Sequence, residues 1–231
     1  INGLAVLSVG EHEFGRPFRV TARCFAGQEG IVNIEREVGM SGDIHDKGVQ
    51  ILAGFLGHRF AQDRPLALTA TVTFEQSYGA VDGDSASSTW LYAIISALSG
   101  VAIDQGIAVT GSVNQLGEIQ PVGGVNHKVE GFYRFCVARG LTGEQGVLIP
   151  WQNIQHLMLS ADVLDAVEKG EFQIWPVRTI DQGISILTRR KAGQVNADGS
   201  YPKGSIMAAV AKRIDQLRRH TESEKDKVSE Q

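Results

Sequence analysis

The sequence predicts a mixed α/β fold in which small mixed sheets pack against helices, and three observations predict it. Short β-type runs recur along the whole chain. Apolar residues at helical i, i+3, i+4 and i+7 spacing fall between those runs. Glycine, 27 of 231 residues, punctuates the junctions instead of forming a low-complexity tract, and no internal repeat is visible.

Taken in order, PFRVTARCF (17–25) and IVNIERE (31–37) read as strands. DKGVQILAGFLGHRF (46–60) places Val49, Leu52, Leu56 and Phe60 on one helical face, and PLALTATVTFEQ (65–76) alternates as a strand. The next helix carries Leu91, Ile94, Ile95 and Leu98 at core spacing and ends at Gly100. A strand over 107–113, a turn at Asn114–Gly117 and a return strand over 118–124 follow, the last entering a glycine pair. Val125, Val129, Phe132 and Cys136 then predict a helix over 125–139, stopped by Gly140. A buried strand (146–150), a helix (161–170), a strand (172–177) and a helix (179–190) complete a domain expected over residues 1–193. Beyond it, 194–231 reads as linker, short amphipathic helix and charged tail. The stripe of Ile206, Val210, Ile214 and Leu217 looks too narrow to hold an assembly, so removal of 204–231 is expected to change little.

Composition narrows the function. A chain that is 42% hydrophobic can bury a sizeable core, and no run reaches the ~18 apolar residues of a membrane span. The N-terminus lacks the basic region and cleavage site of a signal peptide, so a soluble, cytoplasmic protein without membrane partners is expected. A net charge of −4 argues against nucleic acid as a partner. Cys24 and Cys136 are too few for a disulfide framework and read as buried free thiols. The six histidines make no HExxH pattern, so no metal is expected, and there is no GxxxxGK[ST] loop to cradle ATP.

One stretch departs from ordinary patterning. YGAVDGDSASSTWLYAIISALSG (78–100) surrounds Ser85 with small and acidic residues and then turns abruptly apolar. Taken alone, Ser85 reads as a helix-start residue beside a capping Asp82 or Asp84. The exposed turn also sets its hydroxyl near first-turn amides that helices leave unpaired, where charge developing on a substrate oxygen can be stabilised. No GxSxG elbow is present, since Ser87 stands two residues after Ser85. A Ser-His-Asp triad is conceivable, but nothing in the sequence fixes its partners.

A second stretch, PVGGVNHKVEGF, offers a different base. Lys128 lies in the first turn of a helix, beside Val129 and three residues from Val125. Alone it reads as an exposed cation; turned inward, burial and the positive end of the helix would both lower its pKa toward the ~7–8 that a general base needs.

Together these residues resemble the proteolytic domain of Lon proteases, which use a Ser-Lys dyad. The serine motif Gly-Asp-Ser-Ala-Ser (83–87) matches the LonB-like branch, whereas the better-known branch has Gly-Pro-Ser-Ala-Gly. Ser85 and Lys128 stand 43 residues apart, which fits the family interval. The similarity continues through 41–56, 74–87, 108–132 and 140–150 and spans about residues 1–193 in order. It implies that Ser85 is the nucleophile, Lys128 the general base and Thr110 the hydroxyl that hydrogen-bonds the lysine. Asp82 and Asp84 fall on the acidic part of the serine loop, and His127 is expected to be structural.

The resemblance further implies an endopeptidase acting on unfolded polypeptides, assembled as a homo-oligomeric ring, usually a hexamer. It implies no cofactor in this chain, with ATP and Mg²⁺ needed only by an ATPase module upstream. Because the chain begins at Ile1 and lacks a phosphate loop, it is expected to be the excised protease part of a larger ATP-dependent or Lon-like protease. The competing expectation is a non-catalytic, ring-forming assembly module of the same fold. Binding of RNA by a small α/β fold is disfavoured by the acidic balance.

Overall fold

In the computed structural model, residues 1–77 and 79–229 are described; Tyr78, within the 74–87 stretch, and the last two residues of the 194–231 segment lie outside them. The chain opens on a hairpin, β1 (Asn2–Val9) and β2 (His12–Phe25), paired from Asn2↔Arg19 to Val9↔His12. Gly10 takes φ +62 at the two-residue turn, a conformation glycine adopts without a Cβ penalty. Sequence patterning assigned no strand to residues 2–9 and started the second only at Pro17. The reason is that the hairpin's outer end, with Val9 and Phe14, is exposed and breaks the apolar alternation.

The run 31–37 is strand only over β3 (Gly30–Asn33). Asn33 then accepts the Arg36 N–H at 2.8 Å and caps a single turn, α1 (Ile34–Glu37). This turn buries Glu35, whose carboxylate accepts from the Thr73 hydroxyl and the Phe74 N–H, each at 2.7 Å. Helix α2 (Asp43–Phe60) follows, and the strand expected over 65–76 is shorter, β4 (Thr69–Phe74).

Helix α3 (Ser87–Ser99) is nearly engulfed, with Ser87 through Ile95 all buried, and it closes on left-handed Gly100. The run 107–113 splits into β5 (Ile107–Val109) and β6 (Ser112–Val113), broken at Thr110 and Gly111. The return strand is only β7 (Ile119–Gln120), which pairs with β6. Helix α4 (Val125–Arg139) ends at Gly140 as the periodicity predicts. β8 (Gly146–Pro150), a 3₁₀ turn (Trp151–His156), α5 (Ala161–Glu168), β9 (Gln173–Val177) and α6 (Ile180–Thr188) complete the sheet and its cover.

Mixed sheets pack against helices as expected: seven strands join in the order β3-β4-β2-β1-β5-β8-β9, with β6 and β7 as a separate two-stranded ribbon. The β1–β2 and β2–β4 pairs are antiparallel, and β3–β4, β1–β5, β5–β8 and β8–β9 are parallel. Both faces are covered. Leu148 points into the core built by α2, α3 and α6, while its neighbours Val147 and Ile149 point into the core built by α4 and α5.

The C-terminal segment differs from its expectation. Helix α7 (Ile206–Ser229) packs on α3 and buries Ile206, Met207, Val210, Ile214 and Leu217 in the same core as Trp90 and Leu91. A stripe too narrow to hold an assembly is wide enough to dock one helix on its own domain. Of the two free thiols, Cys136 is buried and Cys24 half-buried; burial pushes them up to about 11 and about 12.

Candidate active site

The serine turn hangs between two helices. On its upstream side the Val81 N–H donates to the Met40 carbonyl and Val81 accepts from Gly42, at 2.9 Å each. Asp82 then swings over the start of α2, accepting from its own neighbour Gly83 at 2.8 Å and from the His45 N–H at 3.4 Å. Its carboxylate lies so close that a methyl on Gly42 would meet Asp82 Cγ at 2.5 Å. Asp82 thus ties the serine loop to the positive end of α2. Gly83 takes φ +96 and redirects the chain toward Ser85.

Neither aspartate caps α3 with its side chain. The capping position is Ala86, and the contribution of Asp84 to the first turn is its backbone carbonyl, which accepts the Ser87 N–H at 2.9 Å. The Asp84 carboxylate instead accepts from the Ser112 hydroxyl at 2.9 Å. Ser87 Oγ accepts from the Val113 N–H at 3.1 Å, and the Ser88 hydroxyl donates to the Gly111 carbonyl at 2.6 Å. Gly111 N–H in turn donates to the Ser85 carbonyl at 3.0 Å. The two serines that follow, Ser87 and Ser88, therefore bolt the turn to residues 111–113, and half-buried Ser85 is left with its hydroxyl unclaimed by any described residue.

These bonds narrow the choice of amides for an oxyanion site. The Ser87 and Ser88 amides are taken by the Asp84 and Gly111 carbonyls. Around the serine, the amides of Ser85 and Ala86, one step earlier in the chain, take no described partner, and neither does that of Thr89 in the first turn.

Lys128 lies buried in the first turn of α4. Gly124, at φ +66, starts α4 without a side-chain cap, and its carbonyl accepts the Lys128 N–H at 3.0 Å. The lysine turns inward and is only 4% exposed. Burial brings its amine down to about 8, against the opposing pull of the Asp84 carboxylate. That pull connects the serine turn to the lysine helix, since Asp84 immediately precedes Ser85.

Thr110 is buried one residue before the amide that grips the Ser85 carbonyl, and its own N–H donates to Leu148 at 3.1 Å. The expected hydrogen bond between its hydroxyl and the lysine is not made: Thr110 Oγ1 is buried without a partner. His127 points outward, with Nε2 3.7 Å from the Glu13 carboxylate.

Sequence reasoning missed Gly111, Ser112 and His45. The first two were visible only as the interruption TGS within a β-type run. His45 carries no signal at all: it is fully buried on α2, edge-on to Trp90 at 4.5 Å, and both ring nitrogens lack partners. Burial holds its pKa below the usual value.

No group of three or more His, Cys, Asp or Glu suited to a metal ion occurs among the described residues. The chemistry on offer is that of a hydroxyl, unpaired backbone amides near it and an amine whose pKa burial lowers.

The electrostatics carry a prediction. If the neutral amine is the base, activity rises with pH through about 8. Asp84→Asn removes the charge that raises this value while keeping an acceptor for Ser112. The limb of a kcat/KM profile is therefore expected to move to lower pH; an unmoved or raised limb counts against this role for Asp84.

Residues 58–189, more than half of the chain, match the family model described as the Lon protease (S16) C-terminal proteolytic domain. The chain is 44% identical over 189 residues to a Lon protease homolog of Escherichia coli (strain K12), covering 81% of this chain and 32% of the relative. A Lon protease homolog of Haemophilus influenzae is 41% identical over 217 residues, covering 93% of this chain and 36% of the relative. An archaeal Lon protease of Thermococcus kodakarensis is 34% identical over 188 residues, 80% of this chain and 27% of the relative. The chain thus spans about a third of the length of these relatives.

Proposed function

Because the chain belongs to the Lon protease (S16) family and carries its C-terminal proteolytic domain, we propose that it is a serine endopeptidase whose dyad is Ser85 and Lys128. The observation that supports this most is the buried lysine in the first turn of α4, brought down to about 8 and subject to the charge of Asp84, the residue next to a serine whose hydroxyl is left free. Lys128 Nζ takes the Ser85 Oγ proton as that oxygen attacks the scissile carbonyl carbon. The Ser85 and Ala86 amides receive the carbonyl oxygen as it becomes negative. The protonated lysine then gives its proton to the leaving amine, and water repeats the sequence to release the acyl group.

Thr110, whose hydroxyl is buried and unpartnered, is assigned the orienting role: it accepts from the ammonium once the amine is charged. Asp84 moderates the base through its charge, and Asp82 fixes the turn. The substrates proposed are unfolded polypeptides, which a protease of this family cleaves within a homo-oligomeric ring, here a hexamer. The proposed setting is cytoplasmic; no helix among the described residues is long and apolar enough to cross a membrane. ATP and Mg²⁺ would enter only through an ATPase module of the same protein.

Labelling with a serine-reactive fluorophosphonate tests the reading. Covalent modification mapped by mass spectrometry to Ser85, and lost in Lys128→Ala, is the expected result. An unlabelled but folded chain would favour the non-catalytic assembly module.

A further inference from the structure

The lysine helix rests directly on a strand to which the sequence assigns no function. Where β2 crosses under α4, Gly15 is buried and faces the peptide between His127 and Lys128. A methyl group on Gly15 would sit 2.0 Å from the His127 carbonyl oxygen and 2.7 Å from Lys128 Cα. One turn further along α4, a methyl on Gly131 would sit 2.1 Å from the Gly15 carbonyl oxygen. These are backbone atoms, which no change of rotamer can move aside. Gly15 also has no left-handed φ, so unstrained backbone leaves the absence of a side chain as the reason for glycine here.

The same hairpin supports the start of the helix. Val6, paired across β1 and β2 with Gly15, puts Cγ2 where a methyl on Gly124 would be 2.6 Å away. Gly124 is the residue that begins α4 and whose carbonyl holds the Lys128 amide. Contacts above and below Lys128 therefore converge on one register position of the β1–β2 hairpin.

We propose that Gly15, with its cross-strand partner Val6, is a positioning element for the general base: the backbone-on-backbone seat at Gly15 sets how deeply Lys128 is sunk toward the serine turn. Neither residue touches substrate. Any group larger than hydrogen at Gly15 must lift α4 or bend β2, and either motion carries Lys128 Cα with it. A helix lifted by a few tenths of an ångström readmits water to the amine, and the base returns toward ordinary lysine behaviour. This inference rests on the reading of Lys128 as the base.

The test compares peptide cleavage by Gly15→Ala, Val6→Ala and a control, Gly57→Ala, whose added methyl meets nothing within 4 Å. Gly15→Ala is expected to lower kcat by about 10²-fold, the usual consequence of a small misplacement of a catalytic group, with KM little changed. The alkaline-rising limb of its kcat profile should also move to higher pH, a shift that general loss of folded protein does not produce. Val6→Ala adds no clash and keeps the fold, so it serves should Gly15→Ala fail to accumulate; a loss of a few-fold with a limb displaced from its wild-type position is expected. Gly57→Ala should match the wild type. A wild-type limb and kcat in Gly15→Ala, or in Val6→Ala where only that variant folds, overturns the proposal. Lys128→Ala separates the two levels: if it cleaves normally, the dyad reading has failed, whereas if it is inactive and the hairpin variants are normal, only the positioning inference has failed.

Discussion

Replacing Ser85 or Lys128 with alanine is expected to reduce peptide cleavage by roughly 10⁴-fold or more in each case, and the double replacement to be hardly worse than either single one. The near-equality follows from how the two groups would work in the proposed dyad. A serine hydroxyl without a base at its side is a weak nucleophile at neutral pH, and a neutral amine without the hydroxyl has no proton to accept. Both replacements should fold. Ser85→Ala leaves the backbone carbonyl that Gly111 grips, and Lys128→Ala removes a charge from a buried position. Initial rates on an unstructured fluorogenic peptide, with circular dichroism as a control, decide the matter. Lys128→Ala retaining near-normal turnover would rule out the lysine-base mechanism, and a rate limb near ~6.5 that one histidine replacement abolishes would point to a triad.

The second large effect concerns the C-terminal helix. Removing residues 204–231 strips Ile206, Met207, Val210, Ile214 and Leu217 from the core and bares the side of α3 against which they lie. A contiguous apolar face of that kind invites aggregation. The truncated chain is expected to accumulate as insoluble protein, the opposite of what the residues alone suggested. Ile206→Ala by itself should lower unfolding free energy by about 2–5 kcal/mol, the usual loss for a buried aliphatic side chain. Soluble yield and chemical denaturation measure both. A truncation that folds with unaltered stability would show that α7 is an ornament on the domain.

Much of the fold is legible in residue order because its helices keep strict periodicity. α4 could be read from Val125 to its stop at Gly140, and α3 from Leu91 to Gly100. What escaped is what depends on contacts distant in the chain. The strand β1 is partnered by β2 and β5, and nothing within residues 2–9 announces the second of these pairings. The end of β3 depends on Asn33 acting as a cap and on Glu35 finding donors 38 and 39 residues away.

At the site, Ser85 and Lys128 stood out by their setting, and the lysine's burial agrees with its apolar helical neighbours. Ser112, Gly111 and Gly15 did not stand out, because a hydroxyl, an amide and a missing side chain become informative only when the opposite surface is known. Thr110 shows the converse. Its position was read from the motif, while its unsatisfied hydroxyl is a fact of packing that no spacing reveals.

The sinking of Lys128 also has a thermodynamic side. Burial brings its amine down to about 8 in the fold from 10.5 in an unfolded chain, so unfolding takes up a proton between those values. The sign follows from proton counting: the unfolded chain binds more, so this group's contribution to stability rises as pH climbs through that interval. Below it, the folded chain carries an ammonium in a poorly solvating place, a penalty of roughly 3 kcal/mol for a shift of this size. Above about 8, where the amine is ready to accept a proton, that penalty has begun to lift. The alkaline conditions that would arm the proposed base thus also relieve the fold of holding it.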